Sequence, residues 1–287
     1  MNIRIDGKPA DITLESEKTV GEVLAGIQDW LETSGLVISG LELDGASRGS
    51  AALDGAFTQP LEGISSINVI TSTWGELMME ALAGLKGDLE FYGGLSPEEQ
   101  EACRRRWNDS VQALFLQNNA PELHEAVRKT LEGNFPASGA LALAGERIRE
   151  LENPHGEAAA VRPLAEEVAA RLADLPLDMQ TGKDSRAAET ISLFSTLTEK
   201  LFRLVFLFGR RGVKIESIEV SSMEGNGTGT VSLKSYIEEF SAALREFIAA
   251  WENSDTVLVG DLAEYELSPR LPVLAAALEN IPEEPRG

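Results

Sequence analysis

Thiol and imidazole chemistry have little to work with in this chain. Its 287 residues include one cysteine, Cys103, and two histidines, His124 and His155. A single cysteine excludes an internal disulfide, and neither histidine has a partner at metal-ligand spacing. Cys103 is expected as a small buried hydrophobe on a helix that carries Trp107 one turn later, and both histidines are expected at the surface. No G-x-S-x-G, H-E-x-x-H or EF-hand loop occurs. Long apolar runs are missing as well. None approaches the ~20 residues of a membrane helix, and the opening MNIRIDGKPADITLE has no signal-peptide core. The expectations are no membrane partner and a cytoplasmic location. Positive charge is scarce: 25 Lys and Arg stand against 47 Asp and Glu, a net charge of −22. Such a surface repels a phosphate backbone, so no nucleic-acid partner is expected. It permits a basic protein partner, and it also serves plain solubility.

Two glycine-bearing segments approach phosphate-binding patterns and depart from them. Gly225-Asn226-Gly227-Thr228-Gly229 lacks the third glycine of G-x-G-x-x-G, since position 230 is Thr, and reads as a hairpin or linker turn. Thr181-Gly182-Lys183-Asp184-Ser185 has Leu177 where a P-loop needs Gly, and Asp184 where it needs Ser or Thr. Backbone N–H groups at a helix start can still hold an anion or a partner. Gln180, Thr181, Gly182, Lys183 and Asp184 are therefore the candidate contact residues, with simple helix capping as the other account. Asp261 and Glu264 flank Tyr265 closely enough for acid–base work, but only a pocket that separates their pKa values would use them so. Arg104-Arg105-Arg106 spreads around a helical turn and makes no single patch. Trp74, Trp107 and Trp251 lie at apolar helix faces, where core packing or docking are the two roles. No catalytic residue, metal site or cofactor is expected.

In chain order, Ile3 and Ile5 alternate with polar residues, Gly7-Lys8-Pro9 turns, and Ile12 and Leu14 alternate again, a hairpin signal. Thr19 with Glu22 forms a capping box before a helix faced by Val20, Val23, Leu24, Ile27, Trp30 and Leu31, which Gly35 ends. Leu36-Val37-Ile38, Leu41 and Leu43 are short strand segments, Asp44-Gly45 turns, and Ile64, Ile67, Val69 and Ile70 mark a closing strand. Hairpin, helix, short strands and final strand resemble the ubiquitin-like β-grasp, and the run LVISGLELDG is similar to the equivalent stretch of that family. Conjugated members end in a free Gly-Gly, whereas this chain reads Thr71-Ser72-Thr73-Trp74-Gly75 and continues. The resemblance therefore implies a docking module rather than conjugation or sulfur transfer.

From Trp74 the period is helical. Ser96-Pro97-Glu98-Glu99 starts one helix, expected to run through Cys103, Trp107 and Val111 to about Asn118. Pro121 starts the next, Asn153-Pro154 breaks another, and Pro176 stops the one before a loop at 177–183. The segment Asp184 to Phe208 is the longest predicted helix, capped by Asp184 or Ser185 and ended by Gly209. Its last turns, LFRLVFLF, are apolar on nearly all sides, so other helices are expected around it. Val213 to Val220 and Val231-Leu233 suggest a short hairpin. Tyr236 to Trp251 forms an amphipathic helix able to bury its face internally or against a second copy. Asn253-Ser254-Asp255 and Ser268-Pro269 start the last two helices.

The fold class expected is α+β: a ubiquitin-like domain at 1–73, a helical bundle at 74–280 with a β-hairpin at 213–233, and a frayed tail at 281–287. Three functions fit. The first is a non-enzymatic adaptor, acting through a protein partner of basic character or as a homo-oligomer. The second is a chaperone or assembly factor for a bacterial secretion or motility apparatus, and the third an enzyme with an unrecognised site in the helical domain.

Overall fold

A computed structural model describes residues 1–14, 16–48, 58–221 and 229–282. The chain is α+β, and it divides into two compact units, Met1–Leu151 and Glu152–Gly287. The junction expected at 73/74 falls inside the first unit. There Thr73 ends a strand and at once caps a helix: its hydroxyl accepts from Glu76 N, and Glu76 accepts from Thr73 N at 2.8 Å.

The first unit opens with β1 (Asn2–Ile5) and β2 (Lys8–Pro9). Asp6 (φ 50°) and Gly7 (φ 74°) form the left-handed pair that a two-residue hairpin turn requires. Ala10 N still donates to Ile3 O at 3.0 Å, but β2 ends at Pro9, and Ile12 and Leu14, expected to alternate in a strand, lie in none. Helix α1 (Val20–Thr33) carries the predicted Thr19–Glu22 capping box, with both bonds at 3.3 Å. Its Val20, Val23, Leu24, Ile27 and Leu31 pack on Ile3, Leu41, Leu43, Ile67 and Val69 of the sheet. Trp30, expected on that face, is exposed.

The expected short segments after α1 are one strand, β3 (Leu36–Leu43), whose register shifts between Ile38 and Gly40. A side chain at Gly40 would meet Ile70 Cδ1 at 3.3 Å, so glycine permits the strands to close there. β4 (Ala46–Arg48) and β5 (Ser66–Thr73) complete the sheet. Its order is β2-β1-β5-β3-β4, with β1 and β5 parallel and the remaining pairs antiparallel. Asp44 clips the β3–β4 turn to β5 by accepting from Ser65 N and Ser66 N, and the Ser65 hydroxyl bond first of all holds its carboxyl below the usual range.

Helices α2 (Trp74–Tyr92), α3 (Pro97–Asn108), α4 (Val111–Asn119), α5 (Pro121–Leu131) and α6 (Ala137–Glu152) follow. The helix expected to run unbroken to Asn118 is split in two. Ser110 is extended, its hydroxyl accepts from Ala113 N at 3.0 Å and donates to Trp107 O at 2.8 Å, and α4 restarts from that cap. Ser110→Ala is expected to lower the thermal midpoint of the first unit by an amount worth about 1 kcal/mol, as for other N-caps. Trp74 and Trp107 are buried, as core packing requires.

The second unit contains α7 (Pro154–Ala173), α8 (Leu175–Gln180), α9 (Asp184–Arg210), β6 (Glu219–Ser221), β7 (Thr230–Ser232), α10 (Leu233–Glu252), α11 (Thr256–Asp261) and α12 (Ser268–Glu279). Asn153 caps α7 and Pro154 opens it, so the predicted break is the start of a helix. Pro176 likewise opens α8 rather than stopping α7, because proline in a first turn sacrifices no helical hydrogen bond. The expected loop 177–183 is therefore helical through Gln180. Helix α9 runs through Gly209, and Gly212 (φ 87°) takes the left-handed position instead. No side chain caps its start.

Phe194, Leu197, Leu201, Leu204 and Phe208 of α9 pack with Tyr236, Phe240 and Phe247 of α10 and with Leu271, Leu274 and Leu278 of α12. The phenol of Tyr236 donates to Arg270 O at 3.1 Å, and burial pushes its pKa up. Val213 follows the turn at Arg211–Gly212 and Ile215 opens a 3₁₀ segment, so neither is in a strand, and among the described residues the two-stranded pairing is confined to β6 and β7. The Gly225–Gly229 turn lies outside the described residues except for Gly229. The last α-helix begins at Ser268-Pro269 as expected, though it is entered without a loop. The chain continues from α11 through a π-helical stretch, Leu262–Leu267, into α12. Pro269 offers no N–H to Tyr265 O and its ring crowds that carbonyl, and the wider turn accommodates both. Ile281 is buried in the core, so the expected frayed tail does not begin there, and 283–287 lie outside the described residues. No helix among the described residues is long and apolar enough to cross a membrane.

Candidate functional site

The segment singled out in the sequence is a corner between two helices. Gln180 is the last residue of α8, Asp184 the first of α9, and Thr181, Gly182 (φ 71°) and Lys183 join them. The corner is organised by a residue the sequence reading passed over, Asp178, whose side chain is 2% exposed. Its Oδ1 lies 3.3 Å from Lys183 Nζ, and its Oδ2 lies 3.0 Å from Arg186 Nε, an ion pair without hydrogen-bond alignment. Lys183 N donates to Asp178 O at 2.9 Å, and Thr181 Oγ1 donates to Leu177 O at 2.7 Å. Arg186 Nη2 also reaches Asp174 Oδ2 at 3.1 Å. The cation that could have drawn an anion to this helix start is thus engaged by a buried carboxylate.

Beside the corner is a groove of about 430 Å³. One wall is Pro176, Met179 and Gln180 of α8 with Asp184, Ala187 and Ala188 of α9. The other is Trp251 at the end of α10 with Thr256, Val257, Gly260 and Asp261 of α11. A side chain at Gly260 would sit 3.2 Å from Pro176 Cβ, so the glycine lets the two walls close tightly at their base. Asp255, in the turn after α10, caps α11 by accepting from Leu258 N at 3.1 Å, which fixes the approach of Val257. Two of the five predicted residues, Gln180 and Asp184, line the groove, and so does Asp261. Thr181, Gly182, Lys183 and Glu264 do not.

Charge and exposure give the groove its character. Both charged liners are acids. Asp184 and Asp261 are exposed, and neither forms an ion pair among the described residues. Trp251 is 47% exposed and Val257 72%, with Ile248 exposed one turn before Trp251 on α10. Core packing, expected for Trp251 from its helical spacing, is therefore not its role: α10 buries Tyr236, Phe240, Ala243, Phe247 and Ala250, and the stripe turns away from Ile248 and Trp251. Nearby, the Tyr265 phenol is held above its usual pKa, chiefly by its bond to Glu264 and then by the charges of Glu264 and Asp261. Nothing in the spacing of Trp251 distinguishes it from its buried neighbours. Its position in the final turn of α10, before Asn253-Ser254, is the one signal of a fraying, solvent-facing site.

The other candidates resolve into packing. His124 is half-buried and stacks on Trp107 with centroids 5.8 Å apart; His155 is half-buried, edge-on to Phe208 at 5.0 Å, so neither is a free surface histidine. Cys103 is half-buried rather than buried, with Arg106 Nη2 3.1 Å from its sulfur. Arg104 and Arg105 both pair with Glu101. No group of His, Cys, Asp and Glu suited to a metal ion occurs among the described residues. A larger trench of about 680 Å³ lies in the first unit between residues 5–14 with Glu17 and α1, lined by Ile12, Leu14, Ile27 and Trp30 among others.

Residues 1–73 match the family described as the TP0873 N-terminal domain. Residues 160–276 match a domain of unknown function (DUF8042), and that span contains every residue lining the groove. No solved structure matches the chain. A relative from Treponema pallidum (strain Nichols), described as an uncharacterized protein, is 22% identical over 270 residues, which cover 94% of this chain and 92% of the relative, so the chain is similar to that protein across both units.

Proposed function

We propose that this chain is a non-enzymatic adaptor: a ubiquitin-like β-grasp module followed by a helical bundle whose acidic, aromatic-edged groove docks a basic protein partner. The observation that carries the reading is the groove itself, where an exposed indole and valine stand beside two carboxylates without ion-pair partners. Aromatic side chains dominate binding energy where they can be enclosed, and a one-signed rim selects a partner of opposite charge and speeds its encounter. The net charge of −22 extends the same field over the whole molecule. In the first unit, the parallel placement of β1 beside β5, with α1 packed across the sheet, supports the β-grasp reading.

The test compares the tagged full chain with its Asp184→Lys/Asp261→Lys variant as baits in extract from the cells that make it. Both positions are exposed, but Asp184 is the acid at the uncapped start of α9, so the variant is expected to lose no more than about 1–2 kcal/mol of stability. The parent should retain one basic protein in stoichiometric amount at low salt and lose it at high salt, because exposed charge pairs are screened. The variant should retain about a tenth as much or less, a difference of roughly 1.4 kcal/mol. Retention indifferent to both salt and charge reversal, or no retained protein at all, contradicts the reading.

A further inference from the structure

We infer that the groove is a receptor for an arginine side chain of the partner, with the guanidinium lying on the Trp251 indole between Asp184 and Asp261. The inference deepens the docking reading and rests on it. Three features of the groove point to this occupant. First, its charged liners are both acids on opposite walls, and the bases beside Asp184 in the chain, Lys183 and Arg186, are each paired to Asp178. A cation entering the groove meets no competing positive charge on the walls. Second, the one aromatic liner, Trp251, is 47% exposed beside Val257 and Ile248. An indole face attracts a cation more strongly than a phenol or phenyl ring does. Third, the walls between the acids are small, with Ala187, Ala188 and Gly260, and the groove volume of about 430 Å³ admits a long, narrow side chain with part of its neighbours.

Arginine satisfies all three at once. Its planar guanidinium stacks on an aromatic face while its edge donates in parallel to a carboxylate, and its aliphatic stem packs on small apolar walls. Lysine supplies the charge without the plane, and its ammonium holds water more firmly. A second copy of this chain is disfavoured as the occupant, because it would bring a net charge of −22 against the same charge.

The test is a titration of the full chain, ¹⁵N-labelled at tryptophan, with the tripeptide acetyl-Leu-Arg-Val-amide and its citrulline and lysine counterparts. Citrulline keeps the shape and removes the charge. The Trp251 indole signal, identified by its absence in Trp251→Phe, should shift and saturate with the arginine peptide. The buried Trp74 and Trp107 signals should stay in place and report an intact fold. Affinity should fall about tenfold or more for citrulline and several-fold for lysine. It should fall about tenfold or more in Asp184→Asn/Asp261→Asn. The inference is overturned if the arginine peptide leaves the Trp251 signal unmoved at millimolar concentration, or if citrulline or lysine bind as well as arginine. It then falls alone where the charge-dependent capture of a basic protein persists, whereas loss of that capture removes the docking reading beneath it.

Discussion

Phe208→Ala is expected to destabilise the second unit by about 3–5 kcal/mol, whereas Phe206→Ala should cost about 1 kcal/mol or less. The two residues are neighbours on one helix with the same side chain. Phe208 is fully buried in the core of the second unit, with the His155 ring of α7 edge-on at 5.0 Å. Phe206 is 45% exposed and has Arg210 5.1 Å above its ring. Removing Phe208 loses the transfer free energy of a benzyl group and leaves a cavity that surrounding helices fill only partly. Removing Phe206 loses a half-solvated face and one exposed cation–π contact, worth about 0.5–1 kcal/mol. Urea titration of both variants, followed by far-ultraviolet circular dichroism, measures the contrast. Equal losses would mean that the apolar turns of α9 are not enclosed as described.

Asp178→Ala is expected to cost about 2–3 kcal/mol. Breaking a buried ion pair by deleting one partner typically costs 3–5 kcal/mol, because the remaining charge is stranded. Here the stranded charges, Lys183 and Arg186, have side chains 49% and 47% exposed and can return to water, which reduces the loss. The α8–α9 corner should loosen with it, and Met179, Gln180 and Asp184 on the groove wall with the corner. Lys183→Ala takes a hydrogen bond from the buried Asp178 carboxylate but leaves it paired with Arg186, and should cost about 1–2 kcal/mol. Guanidinium denaturation distinguishes the two, and a loss for Asp178→Ala no larger than that for Lys183→Ala would contradict the account of the corner.

Local chemistry made much of the architecture readable. The Thr19–Glu22 and Ser96–Glu99 boxes mark helix starts because each residue satisfies a backbone donor that the helix leaves open. The stripe of α9 was legible because burial on one side imposes a period. Proline has two uses, and one of them misled: Pro176 reads as a stop but stands in the first turn of α8, whereas Pro269 stands in the first turn of α12 as expected, after a π-helical widening. Ser110 misled in the opposite sense, since its hydroxyl ends one helix and starts another within an unbroken apolar pattern.

The candidate site was half visible. Gln180, Asp184 and Asp261 drew attention by their types and neighbours. What joins them is a tertiary relation between α8, α9, α10 and α11 that no spacing encodes. Asp178 stayed hidden because a buried acid reads like the exposed acids around it in a chain with 47 of them. Trp251 groups with Trp74 and Trp107 in the sequence, but spacing does not separate its exposure from their burial, because exposure at the end of a stripe depends on what packs there.

The most direct test of the docking face is site-specific photo-cross-linking in living cells, with p-benzoylphenylalanine placed at Val257 in the groove or at Leu164, exposed on α7 outside it. The account predicts a discrete adduct with a basic protein from position 257, lost when Asp184 and Asp261 are changed to lysine, and none from position 164. Equal adducts from both positions, or an adduct at 257 that survives the charge reversal, would contradict it.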